Sequence, residues 1–401
     1  MDGSLGLTTH SSARRRRTPQ VAAACALAAA AGLALASVVL RAQPAPEDAS
    51  AAPLAPDFQL PQRNGVYAVV IGIQNYQDGP SSDYSQADAQ GFEKELLALG
   101  FHAADVDMLV NQDATLAAFD KTLNRWLPSR VKSGDTVVFY YSGHGAPDVS
   151  TNPTKPAAYL VPYDGDPNDL ADTAYPVKKL YQKLNGLHAG RILVVLDACF
   201  SGRGSRSVIA QGVRPLVTQF RLPMSDVGPN MAVLAATKNN EMAAADPKIG
   251  HGLLTYNLIQ AINQGQADFY GIYRRIKAPV EDQAKLDLNI EQTPQFFSAA
   301  PEKEWPGLFQ LADAGALHSA IAAAQAAAKA QAAKEAQADS DAAKLAAQEA
   351  QLQAQKDQLQ QQKQQEQQQI DAERQQLEQQ QQNQAAPAAP QQPSAIVPPT
   401  F

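Results

Sequence analysis

The 401-residue sequence predicts an α/β domain with a mostly parallel central sheet and helices on both faces. Short runs of β-branched and aromatic residues alternate along the chain with segments in which apolar residues recur at helical spacing. The strand runs are apolar almost throughout, which is typical of strands buried on both faces of a parallel sheet. In such sheets, ligands bind at the carboxyl ends of the strands.

The predicted elements follow one another from residue 66. Strands are predicted at 66–73, 106–110, 136–141, 158–161, 192–196 and 231–236. Helices are predicted at 86–99, 116–127, 177–187 and around 254–262. In the first helix, Phe92, Leu96 and Leu99 recur at helical spacing, and Gly100 ends it. Pro128 ends the second helix, because proline cannot continue the backbone hydrogen bonds.

Composition divides the chain into five segments. We expect a signal peptide or membrane anchor with an apolar helix at 1–40, a linker at 41–64, the α/β domain at 65–311, a long helical extension at 316–385 and a Pro-rich flexible tail at 386–401. The linker has no apolar period and is rich in Pro, Ala and polar residues.

An apolar run of twenty residues, 21–40, follows four arginines at 14–17. As a helix it would be about 30 Å long, which matches the apolar core of a bilayer. Two interpretations stay open: a signal peptide cleaved at the small-residue site 34–36, or an uncleaved anchor. Because the arginines stay in the cytoplasm, both predict an exported, periplasmic protein, released or anchored in the inner membrane. Membrane contact is expected only through 21–40.

The C-terminal extension is rich in Ala, Gln, Lys and Glu and contains no Pro or Gly from 316 to 385, which favours a long helix. Its larger apolar residues recur at intervals of seven, seven, eleven and seven: Leu345, Leu352, Leu359, Ile370 and Leu377. This pattern resembles a coiled-coil seam with a stutter. Because the flanking positions are mostly polar, self-association competes with a solvated single helix or a disordered spacer.

The charge balance and the cysteine and histidine content exclude several classes of function. Lys and Arg number 33 and Asp and Glu 40, which gives a net charge of −7, and no basic stretch lies outside 14–17. The sequence therefore lacks the basic patch of a nucleic-acid-binding protein. The two cysteines, Cys25 and Cys199, cannot form a disulfide framework, and the six histidines form no spaced cluster with them. No cofactor or structural zinc site is predicted.

One acidic loop raises the question of calcium. It contains Asp164, Asp166, Asn168, Asp169 and Asp172. Counted as an EF-hand loop from its first aspartate, its sixth residue is Asp rather than Gly and its twelfth is Tyr rather than Glu. The loop is therefore either a weaker calcium site or a solvated turn.

Two predicted core strands end in residues suited to nucleophilic catalysis. The strand at 136–141 leads to His144 between two glycines, and the strand at 192–196 leads to Cys199. Taken singly, a cysteine is usually a small buried hydrophobic residue, and a loop histidine usually has no special role. At the carboxyl ends of two core strands they predict a Cys/His pair, because a thiolate nucleophile needs an imidazole within reach.

The run YYSGHG, followed by VVLDACFSG and preceded by YAVVIGIQNY, resembles the caspase/metacaspase superfamily of cysteine peptidases. The resemblance covers about residues 65–300 and includes Ala-Asp-Ala at 87–89 and HGLLTY at 251–256. The local signature is closer to bacterial caspase-like proteins and metacaspases than to animal caspases, whose Gln-Ala-Cys pattern it lacks.

The resemblance implies roles for individual residues. It implies that His144 is the general base and acid, and that Cys199 is the nucleophile that forms an acyl-enzyme with a peptide carbonyl. The backbone N–H groups of Gly145 and Cys199 would form the oxyanion hole. No third residue that orients the imidazole can be identified, and the superfamily commonly works as a dyad.

The resemblance also implies a substrate-binding pocket lined by Asp88, Ser142 and Asp197. Two carboxylates in one partly buried pocket repel each other unless a cation lies between them, so we expect Arg or Lys on the acyl side of the cleaved bond. Metacaspases often have a cysteine at the position of Ser85, so the sequence departs from the family pattern at this point of the pocket. The alternatives are a helix-terminal charge for Asp88 and a solvated strand-end carboxylate for Asp197.

The predicted function is a cysteine endopeptidase acting on protein or peptide substrates. Two alternatives stay open: a catalytically idle caspase-like interaction module, and a peptide ligase that uses the same acyl-enzyme. The segment 202–226, next to the proposed nucleophile, contains Arg203, Arg206, Arg214 and Arg221. If the pocket takes basic residues, this segment is a candidate for autocleavage.

Overall fold

The computed structural model describes residues 54–148, 157–200, 222–238 and 241–384. All of them belong to one compact unit, Ala49–Phe401. No helix among these residues is both long and apolar enough to cross a bilayer. The apolar helix predicted at 21–40 lies outside the described residues, as does the tail at 386–401.

The described residues contain eleven strands and eight α-helices. The strands are β1 (Val66–Gly72), β2 (Val106–Val110), β3 (Thr136–Ser142), β4 (Gly145–Asp148), β5 (Ala157–Leu160), β6 (Tyr175–Pro176), β7 (Arg191–Asp197), β8 (Met231–Ala235), β9 (Ala245–Asp246), β10 (His251–Gly252) and β11 (Gln295–Ser298). The helices are α1 (Ser85–Ala98), α2 (Leu116–Lys121), α3 (Leu170–Thr173), α4 (Val177–Asn185), α5 (Leu253–Asn263), α6 (Phe269–Leu288), α7 (Trp305–Leu308) and α8 (Ala314–Gln384).

The central sheet confirms the predicted fold class. Its six strands have the order β11-β8-β7-β3-β1-β2. All neighbours are parallel except β11, which is antiparallel to β8. The carboxyl ends of β1, β3 and β7 therefore lie side by side at one edge of the sheet.

Two layers of side chains cover the faces of this sheet. Alternate residues of a strand point to opposite faces, so Tyr140 packs in one layer and Tyr141 in the other. Helices α1, α5 and α6 contribute to the first layer, and α2 and α4 to the second. Both neighbouring tyrosines are fully buried, which explains the unbroken apolar run of β3.

Several elements differ from the predicted ones. The run predicted at 158–161 forms β5, which belongs to a separate antiparallel sheet of order β4-β5-β6. The helix predicted at 116–127 divides into α2 and a π-helical turn, Thr122–Trp126. The twenty-residue helix α6 and the edge strand β11 were not predicted. Pro279 lies inside α6, and proline is a signal against a helix interior.

The long helix α8 confirms the predicted C-terminal helical extension. Its first turns belong to the domain, because Leu317 is fully buried and Ile321 and Ala324 pack against the core. Beyond them the side chains are exposed as far as residue 382. The five residues of the predicted seam are 42% to 57% exposed.

Candidate active site

The candidate site lies where β3 and β7 end. These strands are paired in register up to Ser142 and Asp197, and the N–H of Gly143 donates to the carbonyl oxygen of Asp197 at 3.3 Å. His144 and Cys199 each follow this last pair by two residues. Parallel strand pairing therefore brings the two predicted catalytic residues to neighbouring positions on one sheet edge.

Gly145 shows how closely the two chain segments approach. A Cβ atom at this position would lie 2.9 Å from the carbonyl oxygen of Cys199 and 2.8 Å from the ring of Phe200. Such distances leave no room for a side chain, which explains the glycine after His144. The segment 144–145 is therefore packed directly against 199–200.

The His144 ring is held on two sides by the loop between β1 and α1. Its Nε2 lies 2.9 Å from the carbonyl oxygen of Pro80, and its face stacks on Tyr76 with the ring centroids 4.6 Å apart. Because a carbonyl oxygen can only accept, Nε2 carries the hydrogen and Nδ1 is the basic nitrogen of the neutral ring. The imidazole is almost completely buried.

Pro80 is a positioning group that sequence reasoning missed. Its contribution is a backbone carbonyl, which any residue could supply, so no residue type marks it in a sequence. In the structure, this main-chain oxygen lies beside Nε2 of the imidazole.

Cys199 is fully buried, and its thiol donates to the backbone carbonyl of Glu241 at 3.5 Å. The Glu241 side chain is itself anchored: Lys238 Nζ lies 2.9 Å from Oε1, and the Thr293 N–H donates to Oε2 at 2.6 Å. The hydrogen bond to Glu241 raises the pKa of Lys238. The thiol is thus covered by a fixed carbonyl that sequence reasoning also missed.

The N–H of Gly145 has an orientation relevant to an oxyanion hole. Gly145 is opposite Leu160 in the β4–β5 pair, and the N–H of Val161 donates to the carbonyl oxygen of His144 at 3.1 Å. This pattern marks a non-hydrogen-bonded pair, in which the Gly145 N–H points away from β5.

Asp88 lies on α1 and is fully buried beside Ser142. Its Oδ2 accepts from the Ser142 hydroxyl at 3.0 Å. Its Oδ1 lies 3.0 Å from Nδ1 of His251 and accepts from the N–H of Gly252 at 2.9 Å. Asp88 is thus bound by groups that lie at the start of α5, and it is not only a charge near its own helix terminus.

Asp197 is also fully buried, and it contacts the same helix. Its Oδ2 accepts from the N–H of Thr255 at 3.2 Å and from the Thr255 hydroxyl at 2.7 Å. The Thr255 hydroxyl also lies 2.6 Å from the hydroxyl of Tyr140. The alternative of a solvated strand-end carboxylate for Asp197 does not hold, because no part of this residue is exposed.

The structure therefore groups all three predicted pocket residues around one helix terminus. Gly252, which directly precedes α5, donates its N–H to Asp88, and Thr255 in the first turn donates its N–H to Asp197. This is the favourable end of a helix for negative charge. Sequence reasoning did not assign roles to His251 and Thr255, although both lie in the HGLLTY run. Ser85, the departure from the metacaspase pattern, is fully buried at the start of α1 and bonds to Ser82.

The acidic loop forms local hydrogen bonds. Asp164 accepts from the N–H of Leu116, at the start of α2, and Asp166 accepts from the backbone and side chain of Asn168. Among the described residues, no group of three or more His, Cys, Asp or Glu side chains is arranged to hold a metal ion. The four arginines of the predicted autocleavage segment lie outside the described residues.

One protein-family model matches most of the domain that carries these residues. The family model of peptidase C14, the caspase domain, matches residues 66–305. The match covers more than half of the chain and includes His144, Cys199 and all three predicted pocket residues.

Individual relatives are more distant. The chain is 25% identical over 202 residues to a paracaspase from Dictyostelium discoideum, a match that covers 49% of this chain and 43% of that protein. The chain thus spans less than half the length of this curated relative.

Two solved structures are similar to part of the chain. Protein GSU0716 from Geobacter sulfurreducens shares 18% identity with a TM-score of 0.46, over 62% of this chain and 97% of that one. Caspase-1 from Spodoptera frugiperda shares 12% identity with a TM-score of 0.39, over 61% and 91% of the two chains.

Proposed function

The chain belongs to the peptidase C14 family of caspase domains, and on this basis we propose that it is a cysteine endopeptidase with Cys199 as nucleophile and His144 as general base. The observation that carries the proposal is the in-register pairing of β3 and β7, after which the two residues occupy equivalent positions. The tautomer fixed by Pro80 adds support, because it leaves Nδ1 of His144 able to accept a proton.

The reaction would proceed through an acyl-enzyme. The thiol proton passes from Cys199 to Nδ1 of His144, and the thiolate attacks the peptide carbonyl carbon. The N–H groups of Gly145 and Cys199 would donate to the resulting oxyanion. The imidazolium then protonates the leaving amine, and His144 activates a water molecule that hydrolyses the thioester. Before the attack, the thiol must exchange its hydrogen bond to the Glu241 carbonyl for one to the imidazole.

The test is hydrolysis of fluorogenic peptides that differ only in the acyl-side residue. We expect turnover by the wild type and its loss in Cys199→Ala and in His144→Ala, because each variant removes one member of the pair. Cys25→Ala, which removes the other cysteine of the sequence, is the matched control and should keep full activity. Turnover that persists in Cys199→Ala would rule the proposal out.

We further propose that the peptidase prefers Arg or Lys on the acyl side of the cleaved bond. The support is the pair of carboxylates, Asp88 and Asp197, on either side of Ser142, because two buried negative charges make the local potential favourable for a cation. Both carboxylates already accept protein hydrogen bonds, so a substrate guanidinium would bind near them as an additional donor.

Asp197→Asn tests this preference while keeping the size of the side chain. We expect kcat/KM for Arg peptides to fall by about 10- to 100-fold, in line with the loss of one charge-assisted interaction. Asp172→Asn, at an exposed position, is the control for an uninvolved aspartate. Equal turnover of Arg and Leu peptides by the wild type would contradict the proposed preference.

Two other functions for this domain are distinguished by simple additions to the same assay. A peptide ligase would form a new amide when an amine nucleophile is supplied, whereas a hydrolase would release mainly the free acid, as mass spectrometry can show. An idle interaction module would show neither product. An enzyme is favoured over an idle module because both reactive side chains of the pair are present in packed, adjacent segments.

We also propose that α8 pairs with a second copy of this chain. The support is the stripe of five half-exposed apolar residues, which recur at coiled-coil spacing along the exposed part of the helix. Sedimentation equilibrium should show a dimer that Leu352→Lys weakens and that Ala354→Lys, on the opposite side of the helix, leaves unchanged. A monomeric wild type would contradict this pairing.

Export to the periplasm is proposed from the sequence alone. The arginines at 14–17 and the apolar run at 21–40 support it. N-terminal sequencing of the mature protein separates a cleaved signal peptide from a retained anchor. A cytoplasmic protein that retains its first residue would contradict export.

A further inference from the structure

Tyr76 contacts His144 in two ways. Its ring stacks on the imidazole with an interplanar angle of 30°, and its hydroxyl accepts from the backbone N–H of His144 at 2.7 Å. A second tyrosine, Tyr141, donates its hydroxyl to the carbonyl oxygen of His144, also at 2.7 Å. Both main-chain polar groups of His144 are therefore held by tyrosine hydroxyls.

We propose that Tyr76 is a positioning residue for His144, an inference that rests on the proposed Cys/His function. The bond from Nε2 to Pro80 fixes one edge of the imidazole, and the stack on Tyr76 fixes the plane of the ring. Because both the edge and the plane of the imidazole are fixed, the direction of Nδ1 is fixed as well. A general base needs such control, because proton transfer requires contact at hydrogen-bond distance.

The packing around Gly143 supports the positioning role of Tyr76. A Cβ atom at Gly143 would lie 2.7 Å from the Tyr76 hydroxyl oxygen and 2.8 Å from that of Tyr141. Real side chains do not approach so closely, so only glycine leaves space for both hydroxyls to reach the next residue. The glycine before His144 is thus explained by the two tyrosines that hold it.

The loop that carries Tyr76 is itself anchored on both sides of the tyrosine. The N–H groups of Gln74 and Asn75 donate to the side-chain oxygen of Asn111 at 2.9 and 3.0 Å. After the tyrosine, the N–H of Gln77 donates to the carbonyl oxygen of Tyr163 at 2.9 Å. The main chain on both sides of Tyr76 is therefore held by bonds that do not involve His144.

The ring of Tyr76 also suits the charged form of the base. When His144 takes the thiol proton it becomes an imidazolium, and a cation over an aromatic face is stabilised by the quadrupole of the ring. The stack therefore supports the thiolate–imidazolium state as well as the direction of Nδ1. Phenylalanine would keep this ring effect and lose only the hydroxyl contact.

The experiment compares Tyr76→Leu and Tyr76→Phe with the wild type in peptide hydrolysis. For Tyr76→Leu we expect kcat to fall by about 100-fold, the size of effect that misplacement of a catalytic group by 1 Å can have. KM should change little, because Tyr76 acts on the base. Tyr76→Phe should lose only a small part of kcat. Tyr273→Leu, which removes a partly buried, stacked tyrosine from α6, should keep full activity.

A second measurement reads the imidazole directly and does not require turnover. In Cys199→Ala protein labelled with ¹⁵N-histidine, His144→Gln identifies the His144 signals among the six histidines. We expect a single Nε2–H tautomer that persists with Tyr76→Phe and becomes a mixture of tautomers or orientations with Tyr76→Leu. If Tyr76→Leu does not fold, Tyr76→Phe must still lower kcat at unchanged KM.

The two readouts separate the two proposals. If Tyr76→Leu alters the His144 signals but the wild type hydrolyses no peptide, the positioning role is supported and the proposed function is rejected. An active wild type in which Tyr76→Leu changes neither kcat nor the tautomer would reject the positioning role alone. A rise in KM at constant kcat would also overturn it, because that result places Tyr76 in substrate binding.

Discussion

Two buried carboxyl groups lie on the same face of α1, two turns apart, and their surroundings are opposite. Asp88 accepts three hydrogen bonds from Ser142, His251 and the Gly252 N–H. Glu95 is equally buried, yet neither of its carboxyl oxygens has a hydrogen-bond partner among the described residues. Burial alone therefore says little about function. The donors around an acid decide whether it stays charged.

The two residues differ in the hydrogen-bond donors that lie near them. Asp88 is beside the strand ends and the first turn of α5, where backbone N–H groups are available. Glu95 lies farther along α1, in the helix interior, where the backbone N–H groups are already used by the hydrogen bonds of the helix. Without donors, burial raises the pKa of Glu95 to about 8. Asp88 thus belongs to a polar site, whereas Glu95 is an isolated acid that is neutral through most of the physiological range.

The largest expected effect comes from removing Asp88. Asp88→Ala would leave the Ser142 hydroxyl, the His251 imidazole and the Gly252 N–H buried without their acceptor. We expect the free energy of unfolding at pH 7 to fall by about 3–5 kcal/mol, the usual cost of breaking a buried charged network. Urea denaturation measures this change.

The control for Asp88→Ala is Asp113→Ala, at an exposed position, which should change stability by less than about 0.5 kcal/mol. If Asp88→Ala were as stable as this control, the three contacts to Asp88 would have no energetic weight, and the contrast with Glu95 would disappear.

Glu95 should make the wild type less stable as pH rises. In the unfolded chain this carboxyl ionises near its ordinary pKa of 4.5, whereas in the folded protein it keeps its proton up to about pH 8. Below pH 4.5 the carboxyl is mainly protonated in both states, so its titration adds no pH-dependent cost. Between these values the free energy of unfolding should fall by about 1.4 kcal/mol per pH unit.

Glu95→Leu tests this by removing the titration while filling the site. We expect the variant to exceed the wild type in stability by about 4 kcal/mol at pH 8, with the gap shrinking toward pH 4.5. Glu93→Leu, on the same helix at a partly exposed position, should show a much smaller pH-dependent gap. A constant gap between pH 5 and pH 8 would contradict a raised pKa at Glu95.

The sequence predicted the central strands because their apolar runs reflect burial on both faces. It also predicted the sheet edge that carries His144 and Cys199, since strand ends follow directly from strand positions. It could not predict Pro80 and Glu241, whose carbonyl oxygens belong to the backbone, nor the edge strand β11, whose short run Gln-Phe-Phe-Ser has no clear period. The family resemblance indicated Asp88 and Asp197. The donors that bind them at the start of α5 and on β3 depend on tertiary packing that no local pattern encodes.

The smallest expected effect concerns Thr255. Its hydroxyl and its backbone N–H both donate to Asp197, just as one hydroxyl and one backbone N–H donate to Asp88. Thr255→Val keeps the shape and the backbone N–H but removes the hydroxyl that bonds to Asp197 and Tyr140. We expect a loss of about 1–3 kcal/mol in the free energy of unfolding, because a buried acceptor then lacks one donor. Thr255→Ser retains the hydroxyl and should recover most of this loss, as urea denaturation would show. Equal stability of the Val and Ser variants would mean that the backbone N–H alone satisfies Asp197, so that Asp197 would depend on its donors less than Asp88 does.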